Sequence, residues 1–181
     1  MAVSSMMVPL GTPAPDFALP DTSGSVVSRA DFAGAPALLV AFLCNHCPYV
    51  RHIEKAFGET LAGLPELAVV GICTNDANAY PDDSPDHLAE QAKRAGWNFA
   101  YLIDEAQDVG RTFQAACTPD FFLYDAQRRL VYRGAMDAST PGNNVPVTGE
   151  LLAAAIDAVL AGQAVPEPHR PSMGCSIKWR D

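Results

Sequence analysis

From Pro36 to Leu43 the chain reads PALLVAFL, eight residues without a polar side chain. A strand so apolar has no face to offer water, which predicts a central strand covered on both sides. Beyond it, Val50, Ile53, Phe57, Leu61 and Leu64 recur at spacings of 3, 4, 4 and 3, the signature of one helix face. ELAVVGIC, Glu66 to Cys73, predicts a second buried strand. SPDHLAEQAKRAG opens with Ser84 as cap and Pro85 at the first helical position and closes on Gly96, so it predicts a complete helix. FAYLI (Phe99 to Ile103) and DVGRTFQA follow, then FFLYD and LVYRG, separated by the polar turn AQRR. A last helix from about Gly149 to Ala161 places Leu152, Ala155, Ile156 and Val159 inward and stops at Gly162. Near the start, FALP and SVVS flank the turn residues Asp21 to Gly24, as a hairpin does. Strands and helices alternate before a closing hairpin, which predicts an α/β fold with a mixed sheet. We expect one domain over residues 1–181, with a core at about 13–161 and the proline-rich 162–181 as a tail lying on it.

Charge narrows the partners. Twelve basic against twenty-one acidic residues give a net charge of −9, which repels phosphate backbones and anionic lipid. Neither nucleic acid nor a membrane surface is an expected partner. The opening MAVSSMMVPLGTPAPDF has no Lys or Arg and no long apolar run, so no secretory signal or anchor is legible and the expected location is the cytoplasm. Five cysteines, an odd number, argue against a disulfide-stapled scaffold and for thiols kept reduced unless they cycle.

The chemistry sits at LLVAFLCNHCPYVRHIEKAF, where the first apolar strand runs into two cysteines spaced C-x-x-C and then into a helix. Reactive sites in open α/β sheets lie at the carboxyl ends of strands, where Cys44 falls. A helix N-terminus offers unpaired N–H groups and a partial positive charge, both favouring thiolate. Within C-x-x-C this brings a cysteine pKa to roughly 3.5–7.5 from about 8.5. We therefore expect Cys44, at the helix start, to be the nucleophile, and Cys47, one turn in, to be the resolving thiol. Pro48 has no N–H to lose in the first turn. His46 is expected to tune thiolate stability. A zinc site would need two further ligands, and no second C-x-x-C or C-x-x-H exists; a copper-carrier reading expects C-x-x-x-C, one residue longer. No metal or cofactor is expected. Cys73, ending an apolar strand, is expected to pack as a small hydrophobe. His52, His87 and His169 are expected to be solvated.

At these residues the chain resembles the thioredoxin superfamily. The C-x-x-C stands at a strand-to-helix turn, a second apolar strand ends at Gly71 to Cys73, and in CTPDFFLYD the pair Thr118-Pro119 resembles the cis-proline that faces the disulfide in these folds. The resemblance runs from about Pro13 to Leu160. PAPDFALPDTSG and the insertion with YPDDSPDHL make it similar to the redoxin branch, in particular to a group carrying CNHCPYV, CTPDFFL and a terminal GCSIKW. It implies a thioredoxin-like fold, a central mixed sheet flanked by helices with an N-terminal hairpin extension. It further implies thiol–disulfide exchange with protein or small-molecule disulfides and a thiol electron donor, with the backbone of Thr118 presented to an extended substrate. Two family features are replaced: Leu38 stands where thioredoxin buries a carboxylate, and Leu43 where an aromatic commonly precedes the first cysteine. Asp120 and Asp76 are the candidate substitutes for the carboxylate. The peroxiredoxin pattern P-x-x-x-T-x-x-C meets Ala37 and Ala41 before Cys44, and Val40 and Cys44 before Cys47. The alternatives are a thiol-dependent peroxidase and, without turnover, a redox sensor or metal-carrying module. Cys117 is expected near the dithiol, either as a packed thiol or as an additional redox thiol. Cys175, in PSMGCSIKW, is expected on a short edge strand anchored by Ile177 and Trp179, either packed or acting as a third redox thiol that reaches Cys117 or the active pair.

Overall fold

In a computed structural model, which describes residues 1–180, the apolar run forms strand β4, Ala37–Phe42, with every residue buried. Three short strands precede it: β1 (Ala2–Ser4), β2 (Ala18–Pro20) and β3 (Val26–Ser28). After it come α1 (Pro48–Leu61), β5 (Leu67–Cys73), α2 (Pro85–Ala95), β6 (Ala100–Ile103), α3 (Asp108–Phe113), β7 (Cys117–Thr118), β8 (Asp120–Tyr124), β9 (Leu130–Gly134), α4 (Glu150–Leu160) and β10 (Met173–Ser176).

The main sheet has the order β6-β5-β4-β8-β9, with β5 parallel to β4 and β6, and β8 antiparallel to β4 and β9. β4 lies at its centre, so both of its faces need partners, and successive side chains supply two cores. Leu39, Ala41 and Leu43 meet Ile53 and Phe57 of α1 and Leu152 and Ile156 of α4. Leu38, Val40 and Phe42 meet Leu102, Phe113 and Phe122. Phe57, fully buried against the rings of Trp97, Phe99 and Phe121, contributes about 1.5–3 kcal/mol by leaving water. The hairpin forms as β2 against β3. α2 has Pro85 at its first position and ends on Gly96 at φ 70, the left-handed value glycine adopts without strain. Among the described residues no helix is long and apolar enough to cross a membrane.

Two expectations about the tail change. β10 is the middle strand of a second sheet, β1-β10-β7, and not an edge. The N-terminal residues, too short and mixed to show periodicity, supply its other neighbour. His169 is buried, not solvated: the Arg133 guanidinium lies 2.9 Å from its Nδ1 and the Tyr132 ring packs 4.6 Å away. His52 and His87 are exposed, although His52 Nε2 bonds the Ser139 hydroxyl at 2.7 Å.

Candidate active site

β4 stops at Phe42, and residues 43–46 cross from the sheet to α1. The helix cap is Cys47, in extended conformation at φ −75 and ψ 123, followed by Pro48. The helix start therefore belongs to Cys47, and Cys44 stands three residues before it, in the loop. The expectation that Cys44 gains most from the helix is corrected on this point.

Thr118 brings the two sulfurs to one place. Its hydroxyl lies 3.1 Å from Cys44 Sγ and its carbonyl oxygen 3.2 Å from Cys47 Sγ. The Thr118–Pro119 peptide bond is cis. Neither sulfur-bearing residue has any accessible surface. A cavity of about 300 Å³ opens beside Pro119 between Tyr49, Ile53, Met136, Arg170 and Met173.

The crossing loop is held by a buried carboxylate that sequence reasoning missed. Asp83, closing the 3-10 turn Pro81–Asp83, accepts the backbone N–H of Asn45 at 2.7 Å and of His46 at 3.1 Å. It also meets His46 Nδ1 at 2.6 Å and accepts from the Asn75 amide at 2.9 Å. The His46 ring stacks on Tyr80 with centroids 4.8 Å apart. Gln91 of α2 donates to the Cys44 carbonyl at 3.1 Å, and the Tyr101 hydroxyl donates to Gln91 at 3.1 Å. Asp83 falls in YPDDSPDHL, noted as an insertion; nothing in its spacing said which of the aspartates turns inward.

Neither expected carboxylate occupies that place. Asp120 alternates with Phe121 and so projects with Phe122 and Tyr124 to the sheet face opposite the dithiol. Asp76 pairs with Arg180 at 3.1 Å.

The thiols share one electrostatic problem. Burial is the main cause that pushes the Cys44 thiol up, with its proton held toward Cys47 and the Asp83 charge adding to it. Cys47 is brought down to about 4 because the Cys44 thiol donates toward it, against its own burial; the Cys175 thiol and the Val50 N–H add to the pull. The carbonyl of Thr118 can only accept, which opposes charge on Cys47, whereas its hydroxyl can donate to Cys44. The lowered first ionisation therefore belongs to the sulfur cluster, and the two contacts of Thr118 let the charge move between its members. Burial with the His46 and Asn75 bonds sets Asp83: desolvation alone would raise its carboxyl, and the bonds from His46, Asn75 and the Asn45 amide hold it below 3.8.

The remaining cysteines separate cleanly. Cys73 is buried in the core and its thiol is pushed up by that burial. Cys117 is buried, pushed up by burial and then by the Asp120 charge, and its Sγ faces the Pro119 carbonyl at 3.6 Å. Next to Thr118 on one strand, it points to the other side of the small sheet. Cys175 pairs in register with Thr118 and packs against the core cluster that holds Cys44 and Cys47. Burial and its donation toward Cys47 push the Cys175 thiol up to about 11.

Among the described residues, Cys44, His46 and Asp83 could offer a metal three ligand atoms within 4.8 Å of one another. Asp83, however, already takes four hydrogen bonds from the loop and Asn75. A metal would have to break the pair that positions His46.

A family model described as the AhpC/TSA family matches residues 10–133. The chain belongs to the AhpC/TSA family. The matched span of this AhpC/TSA protein contains Cys44, Cys47, Asp83, Thr118 and Pro119, and it ends before β10. Its fold is similar to that of a hypothetical protein from Sinorhizobium meliloti 1021, at TM-score 0.96 and 47% identity over 98% of each chain. An uncharacterized conserved protein from Geobacillus kaustophilus is similar at TM-score 0.96 and 45% identity, over 99% of this chain and 97% of that one. A secreted disulfide oxidoreductase of Mycobacterium tuberculosis shares the fold at TM-score 0.62 and 18% identity, over 78% of this chain and 95% of that one. No curated protein matches this chain. Family and fold make it a redoxin-type member of the thioredoxin superfamily and support an oxidoreductase activity in general terms.

Proposed function

We propose that the protein is a thiol–disulfide oxidoreductase working through Cys44 and Cys47. The observation that carries this reading is the convergence of both sulfurs on Thr118, one on its hydroxyl and one on its carbonyl. The Cys44 thiolate attacks one sulfur of a disulfide, forming a mixed disulfide and expelling the other half as thiolate. Cys47 then attacks Cys44 Sγ, which closes the Cys44–Cys47 bond and releases the second half. Two electrons pass from the dithiol to the substrate, and a donor thiol restores the pair. Thr118 donates to the Cys44 thiolate, and Asp83 orients the His46 ring beside the loop. The substrates are disulfides of proteins or small molecules, and the cytoplasm is the proposed setting. Because both sulfurs are enclosed, the first exchange requires the cover over them to shift.

The test is turnover of a disulfide with a thiol donor. Cys44→Ser should abolish it, and Cys47→Ser should accumulate mixed disulfides visible by intact mass. Consumption of hydroperoxide at a rate far above that of any disulfide would replace this reading with a peroxidase. A Cys44→Ser variant that still turns over would remove Cys44 as nucleophile.

A further inference from the structure

The small sheet lays part of the chain's own tail along the strand that precedes Pro119. Cys175 stands opposite Thr118 and Ser176 opposite Cys117 in antiparallel register. Residues directly opposite in such a ladder project to the same face. The Thr118 side chain reaches Cys44 Sγ, so the Cys175 side chain also faces the dithiol, while Cys117 faces away. The approach is close enough to require glycine at 174, where a Cβ would fall 2.0 Å from the Thr118 carbonyl oxygen. The three sulfurs of Cys44, Cys47 and Cys175 thus form one cluster, and of the five cysteines Cys175 alone is not buried.

Resting on the reading above, we propose that Cys175 is a third redox thiol, which takes over the disulfide from the active pair by bonding to Cys47 and carries it to the surface. In the oxidised protein, Cys175 Sγ attacks Cys47 Sγ, the Cys44–Cys47 bond breaks and the Cys47–Cys175 bond forms. Cys175 gives up its proton and Cys44 leaves as the thiolate that takes one up, so the step is an exchange without net oxidation. A donor thiol then attacks the sulfur of the half-buried Cys175, expelling Cys47 as thiolate, and a second donor thiol releases the donor disulfide and returns Cys175 to its reduced form. The tail addresses the problem of access: an enclosed pair meets its donor through the one residue of the cluster that is not buried. Charge on Cys47 is stabilised by the Cys175 thiol, consistent with direct contact between the two.

The experiment oxidises the full chain with glutathione disulfide and maps the linkages. In the wild type, quenched with acid, the expected products are a peptide containing Cys47 linked to one containing Cys175 beside the Cys44–Cys47 link, with two glutathiones released per disulfide formed. Cys175→Ala should lose that link, keep a single turnover of one disulfide per chain and slow in multiple turnover. A wild-type chain in which only the Cys44–Cys47 link forms, or in which Cys47 links to Cys117, overturns the proposal. So does Cys175→Ala turning over at the wild-type rate, and in that case wild-type turnover through Cys44–Cys47 leaves the oxidoreductase reading standing. A wild-type chain that turns over no disulfide defeats the reading itself.

Discussion

At the scale of single residues, two buried carboxylates are held in opposite states. Asp83 is saturated with donors and stays ionised, so it can orient His46 and pin the loop. Asp120 lies on the opposite face with Oδ1 lacking any partner, and burial pushes its carboxyl up to about 8. A carboxyl whose folded pKa lies above its ordinary 3.8 holds its proton more tightly when folded, so ionising it costs stability. Its contribution is neutral below pH 3.8, and stability falls as pH rises from there towards 8. Asp120→Asn should flatten that decline and gain on the order of a few kcal/mol over wild type at pH 9. Denaturant unfolding across that pH range measures it, and parallel profiles for the two proteins would exclude Asp120 as the titrating group. The inward turn of Asp83 was not legible, because the sequence offers Asp82, Asp83 and Asp86 within a few positions and only the packed loop selects one.

At the scale of elements, periodicity carried far where burial is continuous and failed where it is not. β4, β5, α1, α2 and α4 follow apolar patterns or cap residues that hold at the level of the local chain. The last two apolar positions of the α1 pattern, Leu61 and Leu64, are only half-buried: Leu61 closes the helix, and Leu64 lies beyond it in the connection to β5. β10 is different in kind. Its four residues, MGCS, hold one large apolar side chain, Met173, which is itself exposed, and the strand exists because β1 and β7 flank it. Gly174 is the point where that pairing is most demanding. Gly174→Ala sets a Cβ against the Thr118 carbonyl and should cost about 1–3 kcal/mol, read as a lower unfolding midpoint. An unchanged midpoint would mean that β10 does not pair with β7 in solution.

At the scale of the molecule, the two ends of the chain meet over the site that its middle builds. β1 covers the outer edge of β10, and Ser5 N–H bonds the Ser172 carbonyl at 3.0 Å. Removing residues 1–5 takes away that neighbour without touching the dithiol. Alkylation by iodoacetamide, followed by peptide mass, should then accelerate at Cys175 first and at Cys44 and Cys47 after it. Unchanged rates at all three would show that β1 does not hold the tail. The sequence by itself determined the α/β class, the central strand, the capped helices and the C-x-x-C at a strand end, because each is a local property of hydrophobic period, cap residue or spacing. Tertiary structure alone decided that Asp83 holds the loop, that Cys117 faces away and that Cys175 faces the pair. Asp83 takes its place from the packing of its turn on the crossing loop, and the two cysteines take their faces from the register of β10 on β7, segments far apart in the chain, where a shift of one residue would turn each side chain to the other face.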